Sequence, residues 1–174
     1  YEYVPGYQFL HCLKNNAKGG SSTAVDGFAV ADYMKNKEFK KFKLLKKHEV
    51  VFKDNDYTQK NIRIQKSPII KINKNNDYEE VRINLGAMGT LDLNPNIMDH
   101  FYEAYTFFYQ LLHNKKFQIE FKLKAGDIFC FDNRRVLHGR KEFDPNSGNR
   151  HLQGYYIERE EIISKLNYLN GIKV

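Results

Sequence analysis

Phe131-Asp132-Asn133-Arg134-Arg135-Val136-Leu137-His138-Gly139-Arg140, followed after a short loop by Asn149-Arg150-His151-Leu152-Gln153-Gly154, is the stretch on which the reading of this chain turns. It sets a His and an Arg on consecutive strands. An imidazole is a good Fe(II) ligand, and non-haem Fe(II) oxygenases bind their metal through two His and one carboxylate on one face, leaving open positions. A guanidinium stays charged and grips a carboxylate in bidentate fashion, which suits the far end of a dicarboxylate. The twelve-residue spacing lets a turn return the chain, so that Arg150 reaches a few ångströms beyond a metal held by His138 on the adjacent strand.

Outward from that stretch the pattern is of many short strands. Phe117–Leu123, Ile128–Phe131 after the Ala125-Gly126-Asp127 turn, and His151–Ile157 after Asp144-Pro145-Asn146-Ser147-Gly148 read as strands, and a short helix near Glu160–Leu166 closes the chain. Upstream, Asn94-Pro95 opens the clearest helix. Asn is a good N-cap, Pro suits the first helical position, and Ile97, Phe101, Ala104, Phe108 and Leu111 repeat at three or four residues as a buried face. Strands are expected at Tyr7–Leu13 and Thr23–Phe28, either side of a Lys18-Gly19-Gly20-Ser21 turn, with another turn at Asp26-Gly27. More follow at Val50–Lys53, Ile62–Gln65, Ile69–Ile72 and Glu80–Asn84, with Asn73–Asp77 as a hairpin turn. A helical stretch from about Ala29 to Lys47 breaks near Asn36. Short strands with a few packed helices and no β-α-β alternation indicate a mainly β or α+β antiparallel sandwich.

Of the 174 residues, 41% are apolar and 14% aromatic, as in a folded protein, and one domain is expected over 1–174. No apolar run approaches the roughly 20 residues of a membrane-spanning helix, so no membrane partner is expected. The net charge of +7 raises nucleic acid as a partner. Its lysines, however, fall in an amphipathic pattern, Phe39, Phe42 and Leu45 at helical spacing within KNKEFKKFKLLKK, with no nucleic-acid-binding motif, and that class is set aside. Cys12 and Cys130 are too few for a disulfide framework or a four-ligand zinc site, and each is expected as a small buried side chain in a reducing interior.

Five segments together resemble the γ-butyrobetaine dioxygenase and trimethyllysine dioxygenase family, within the wider taurine-dioxygenase-like group. They are PGYQFLHCLK, GGSSTAVDGF, VRIN, KAGDIFCFDNRRVLHGR and RHLQGYY, in the family's order and spanning nearly the whole chain. The resemblance implies a double-stranded β-helix (jelly-roll) core with packed helices. It implies His138 as the distal iron ligand, Arg150 as the partner of the 2-oxoglutarate C5 carboxylate, Ser22 as a hydroxyl touching 2-oxoglutarate, and Leu10 as a lining residue of that pocket. Tyr156 matches a cage tyrosine for a trimethylammonium group, which aromatic faces recognise by cation–π attraction. Asn133, Arg135 and Arg140 are expected to support the site through hydrogen bonds or ion pairs, whereas His11, His48, His113 and His151 are read as structural.

The implied reaction is oxidative decarboxylation of 2-oxoglutarate at Fe(II), yielding succinate and CO2, coupled to hydroxylation of an unactivated C–H bond, with ascorbate as an optional accessory. The implied substrate is a quaternary ammonium, γ-butyrobetaine ahead of trimethyllysine. A non-catalytic jelly-roll that binds a small carboxylate or a protein is the reading from another class. The family's remaining iron ligands form a His-x-Asp pair just upstream of the segment matching Tyr1–Pro5, and no His here is followed two positions later by Asp. The chain is therefore expected to be the C-terminal catalytic part of a longer enzyme and inactive alone. Two positions depart from the family pattern: Gly86 in Asn84-Leu85-Gly86-Ala87-Met88 replaces an Asn, and Arg134 replaces a Trp. A homodimer and a cytoplasmic setting, with mitochondria as the alternative, complete the expectations.

Overall fold

A computed structural model describes residues 5–58 and 60–172, so the ends of the domain expected over 1–174 lie outside the described residues. In chain order the elements are β1 (Tyr7–Asn15), β2 (Lys18–Gly19), β3 (Ser22–Asp26), α1 (Gly27–Lys37), α2 (Phe39–Lys47), β4 (Glu49–Asp56), β5 (Asn61–Pro68), β6 (Ile70–Ile72) and β7 (Tyr78–Val81). There follow α3 (Pro95–Leu112), β8 (Gln118–Phe121), β9 (Ile128–Asp132), β10 (Val136–Arg140), β11 (Phe143–Asp144), a single 3-10 turn, β12 (Arg150–Ile157) and α4 (Arg159–Leu169). No helix among the described residues is long and apolar enough to cross a membrane. Contacts divide the chain into two compact units.

The first unit comprises Val25–Ile119 and Arg134–Leu137. Two of its helices, α1 and α3, start where a capping side chain satisfies their first N–H groups. The Asn94 side chain accepts from Asn96 N at 2.9 Å with Pro95 in the first turn, and α3 buries Phe101, Ala104, Tyr105, Phe108, Leu111 and Leu112. The Asp26 carboxylate accepts from Phe28 N at 3.0 Å and Ala29 N at 3.4 Å. That cap explains why Gly27 and Phe28 open α1 instead of extending the expected strand. The expected break near Asn36 falls at Glu38, whose backbone (φ −136°, ψ 57°) separates α1 from α2. Of the amphipathic lysine-rich helix, Phe42 and Leu45 are buried and Phe39 lies exposed. The hairpins β4–β5 and β6–β7 bury Val50, Phe52, Ile70 and Val81, and Asn73 and Asp77 close the second through Asn73 N donating to Asp77 O at 2.9 Å.

The strand expected over Glu80–Asn84 stops at Val81 because Asn84 folds a turn. Its side chain accepts from Gly86 N at 3.1 Å and its carbonyl from Met88 N at 2.9 Å. Just before that turn, Arg82 is buried. It donates through Nε and Nη2 to Glu80 Oε1 at 2.8 and 2.7 Å and through Nη1 to Gln65 Oε1 at 2.9 Å, with its guanidinium 5.1 Å from the Phe52 ring centre.

The second unit comprises 5–24, Glu120–Asn133 and 138–172. Here β1 lies between β12 and β9, antiparallel to both, so chain segments far apart in sequence make one sheet. A second three-stranded sheet has the order β10-β3-β8, and β2 pairs with β11. Cys12 is fully buried, as expected, but Cys130 is exposed: on β9 it alternates with Phe129 and Phe131 and faces the other side of the sheet.

Removing one member of a buried ion pair leaves the other uncompensated. Glu80→Ala is therefore expected to destabilise the fold by about 3–5 kcal/mol, read as a lowered midpoint in urea unfolding; a loss within the range of an exposed pair would contradict the closed Arg82 cluster.

Candidate functional site

The face that matters in the second unit follows from strand register. Residues directly opposite in paired strands share a face, and alternate residues along a strand repeat it. Gln8 opposes Tyr156 and Phe131, Leu10 opposes Gly154 and Phe129, and Cys12 opposes Leu152. Two of the predicted residues, Leu10 and Tyr156, thus share one face with Phe129 and Phe131, and alternation along β12 puts Arg150 on it as well.

Gly139 identifies the corresponding face of the other sheet. A Cβ there would stand 3.0 Å from Thr23 Oγ1, so Gly139 and Thr23 share one side, and His138 and Ser22, their neighbours, share the opposite side. The two faces confront each other where His138 and Phe131 meet with ring centres 4.5 Å apart. Phe121 and Phe129 make a second such contact at 4.9 Å. Leu10, Tyr156 and Arg150 thus lie on one face and His138 and Ser22 on the other, the two meeting at Phe131. The expectation of adjacent strands is corrected: His138 lies on β10 and Arg150 on β12, in different sheets, with β11 between them in sequence.

Arg150 is left without an acceptor. Its Nε is buried without a hydrogen-bond partner, and no carboxylate lies within ion-pair distance of it among the described residues. Burial pulls the guanidinium below its ordinary pKa and the charge of Arg140 pulls it further, with Cys12 acting in the opposite sense. A buried unpartnered donor is costly, so the arrangement calls for an acceptor. Gly20 shows how the Gly-Gly-Ser-Ser segment serves it. With φ +70°, Gly20 takes a conformation that favours glycine, and a Cβ there would press on Arg150 Nε at 3.3 Å and on Phe143 Cβ at 3.1 Å. Asn15, the residue across from Arg150, donates through Nδ2 to Leu123 O at 2.7 Å while its buried Oδ1 has no partner.

His138 presents an exposed edge while one ring face packs on Phe131. Its partial enclosure holds the imidazole pKa below the ordinary value, favouring the neutral ring whose lone pair can bind a metal. Its ring nitrogens have no hydrogen-bond partner among the described residues. One imidazole is what these residues supply: no group of three His, Cys, Asp or Glu side chains that could hold a metal occurs among them. Ser22 is buried in β3. Tyr156 is 54% exposed, and its hydroxyl accepts from Gln8 Nε2 at 3.4 Å, which leaves most of its ring open to a ligand.

The supporting residues divide. Arg135 pairs with Asp26, Nη2 to Oδ2 at 2.6 Å, and lies over Phe28, both within the first unit. Asn133 Nδ2 is buried without a partner. His113 ends α3, its Nδ1 2.9 Å from Tyr109 O, in keeping with a structural role. Phe143 is a site residue that motif reading did not reach: the guanidinium groups of Arg140 and Arg150 lie 4.8 and 5.6 Å from its ring centre. Only an aromatic three residues after Arg140 hinted at it.

With this geometry in view, residues 1–156 match the family described as taurine catabolism dioxygenase TauD, TfdA. The chain is 39% identical over 165 residues to a γ-butyrobetaine dioxygenase of Pseudomonas sp. strain AK-1, covering 95% of this chain and 43% of that protein. It is 31% identical over 172 residues to a trimethyllysine dioxygenase of Meyerozyma guilliermondii, covering 96% and 42%. The chain thus spans less than half the length of these relatives. Among solved structures, an asparagine oxygenase in complex with Fe(II), 2S,3S-3-hydroxyasparagine and succinate superposes with TM-score 0.67 at 20% identity, over 91% of this chain and 47% of that one. The fold is accordingly the expected double-stranded β-helix, or jelly-roll, with helices packed on it.

In metal-free protein the His138 imidazole is expected to titrate below 6.5. The unfolded chain then binds its proton first, so this group's contribution to stability is complete above that value and falls as pH drops through the window beneath it. Imidazole NMR signals read the midpoint directly; a midpoint at or above 6.5 would contradict the enclosure of the ring.

Proposed function

The chain belongs to the taurine catabolism dioxygenase TauD, TfdA family, and from that premise we propose that it is the C-terminal catalytic part of an Fe(II)- and 2-oxoglutarate-dependent dioxygenase that hydroxylates γ-butyrobetaine to L-carnitine. The observation that carries this reading is Arg150, whose buried Nε lacks a protein acceptor, on the sheet face whose Phe131 the His138 ring packs against. A cation of that geometry fits the distal carboxylate of a dicarboxylate co-substrate, and a neutral imidazole fits a metal ion.

Each residue has a defined part. Arg150 holds the C5 carboxylate of 2-oxoglutarate, and Leu10 and Ser22 bound the same pocket from the two sheets. His138 would supply one metal ligand. Bound there, Fe(II) would let dioxygen act as the oxidant, one oxygen atom entering succinate as 2-oxoglutarate loses CO2 and the other converting a substrate C–H bond to C–OH. The apolar wall of Phe121, Phe129 and Phe131 excludes water around the reacting groups. Tyr156 offers its open ring face to the trimethylammonium group.

The butyrobetaine substrate is favoured over trimethyllysine by the higher identity to the butyrobetaine relative. Cytoplasm is the compartment that accords with two unpaired thiols.

In the full-length protein, succinate release is expected to require Fe(II), 2-oxoglutarate and γ-butyrobetaine together, and absence of turnover with either trimethylammonium substrate would overturn the substrate assignment. Arg150→Ala is expected to weaken 2-oxoglutarate binding by roughly 30-fold or more, the cost of truncating a buried charge pair; an unchanged affinity would remove Arg150 from the pocket.

A further inference from the structure

Arg140 stands two residues beyond His138 on β10, and the two-residue repeat gives it the same face as His138 and Ser22. Its guanidinium lies 4.8 Å from the ring centre of Phe143, the ring that also carries Arg150 at 5.6 Å. Neither arginine has a carboxylate within ion-pair distance among the described residues, although acidic side chains are close in sequence. Asp144 caps the following turn by accepting from Asn146 N at 2.9 Å. Two like charges on one aromatic platform repel, and in a partly enclosed site that repulsion is relieved by an anion between them.

We infer that Arg140 is a second cationic contact for the C5 carboxylate of 2-oxoglutarate, completing with Arg150 a two-guanidinium clamp mounted on Phe143. This rests on the reading of the interior face as a 2-oxoglutarate site and adds a residue to it. The division of labour follows from exposure: Arg150, with its buried Nε, fixes the carboxylate, and the exposed Arg140 closes over it from the solvent side. Gly20 and Phe143 keep the Arg150 stem in place, whereas Arg140 is held by the ring alone.

The test is titration calorimetry of the full-length, Mn(II)-loaded protein with 2-oxoglutarate and with 2-oxopentanoate, which has a methyl group where 2-oxoglutarate has its C5 carboxylate. Arg140→Ala is expected to weaken 2-oxoglutarate binding about tenfold, the scale of one charge-assisted hydrogen bond, and to leave 2-oxopentanoate binding unchanged, with Arg140→Lys restoring most of the loss. Equal weakening of both ligands would make Arg140 a structural residue and overturn the inference. If wild type binds 2-oxoglutarate and Arg150→Ala abolishes it while Arg140→Ala matches wild type, the clamp fails and the site reading stands. If wild type shows no preference for 2-oxoglutarate over 2-oxopentanoate, both fail together.

Discussion

A half-buried arginine whose enclosed Nε lacks a protein acceptor is the constraint around which the second unit is arranged. Arg150 enters from β12, its Nε is enclosed, and the residues touching it are those that permit the enclosure: Gly20 in a left-handed turn and the Phe143 ring beneath the charge. Any side chain on Gly20 would contest the space Arg150 occupies. Leaving a buried donor unpaired is unfavourable, so an acceptor reaching Arg150 Nε would offset a deficit left by folding.

The sheet topology makes that arrangement attainable. By setting β1 between β12 and β9, the fold aligns Leu10, Tyr156 and Arg150 on one face with a wall of Phe129 and Phe131, and the facing sheet delivers His138 onto Phe131. An apolar wall beside a charged anchor and a neutral imidazole lowers the local polarity, strengthening each electrostatic contact made within it. The first unit has its own buried ion pair, Glu80 with Arg82, placed just before the Asn84 turn.

Much of this was legible in the sequence, for reasons that can be named. Helix α3 announced itself through Asn94-Pro95 and its apolar period, because capping and periodicity are local properties. His138 and Arg150 were found through motif words, since the residue types carry their chemistry wherever the chain puts them. What local pattern could not supply was the pairing of distant strands. The sheet partners of β10 and β12 are decided by tertiary contacts, which is why an expectation of adjacent strands gave way to opposed sheets, and why Cys130, within an apolar run, emerged on the exposed side of β9. Phe143 escaped notice for the same cause: an aromatic in a two-residue strand has no periodicity to mark it, and its part appears only when two arginines from different sheets settle on its ring. The boundary at Asp26 was misplaced because one residue both ends β3 and caps α1.

The central claim is that His138 and Arg150 form the metal-side and carboxylate-side ends of one co-substrate pocket. A crystal structure of the full-length protein with Mn(II) and 2-oxoglutarate tests it most directly. The account predicts the C5 carboxylate on the Arg150 guanidinium and the His138 imidazole among the metal's ligands. Density for 2-oxoglutarate away from Arg150, or a metal centre that excludes His138, would contradict it.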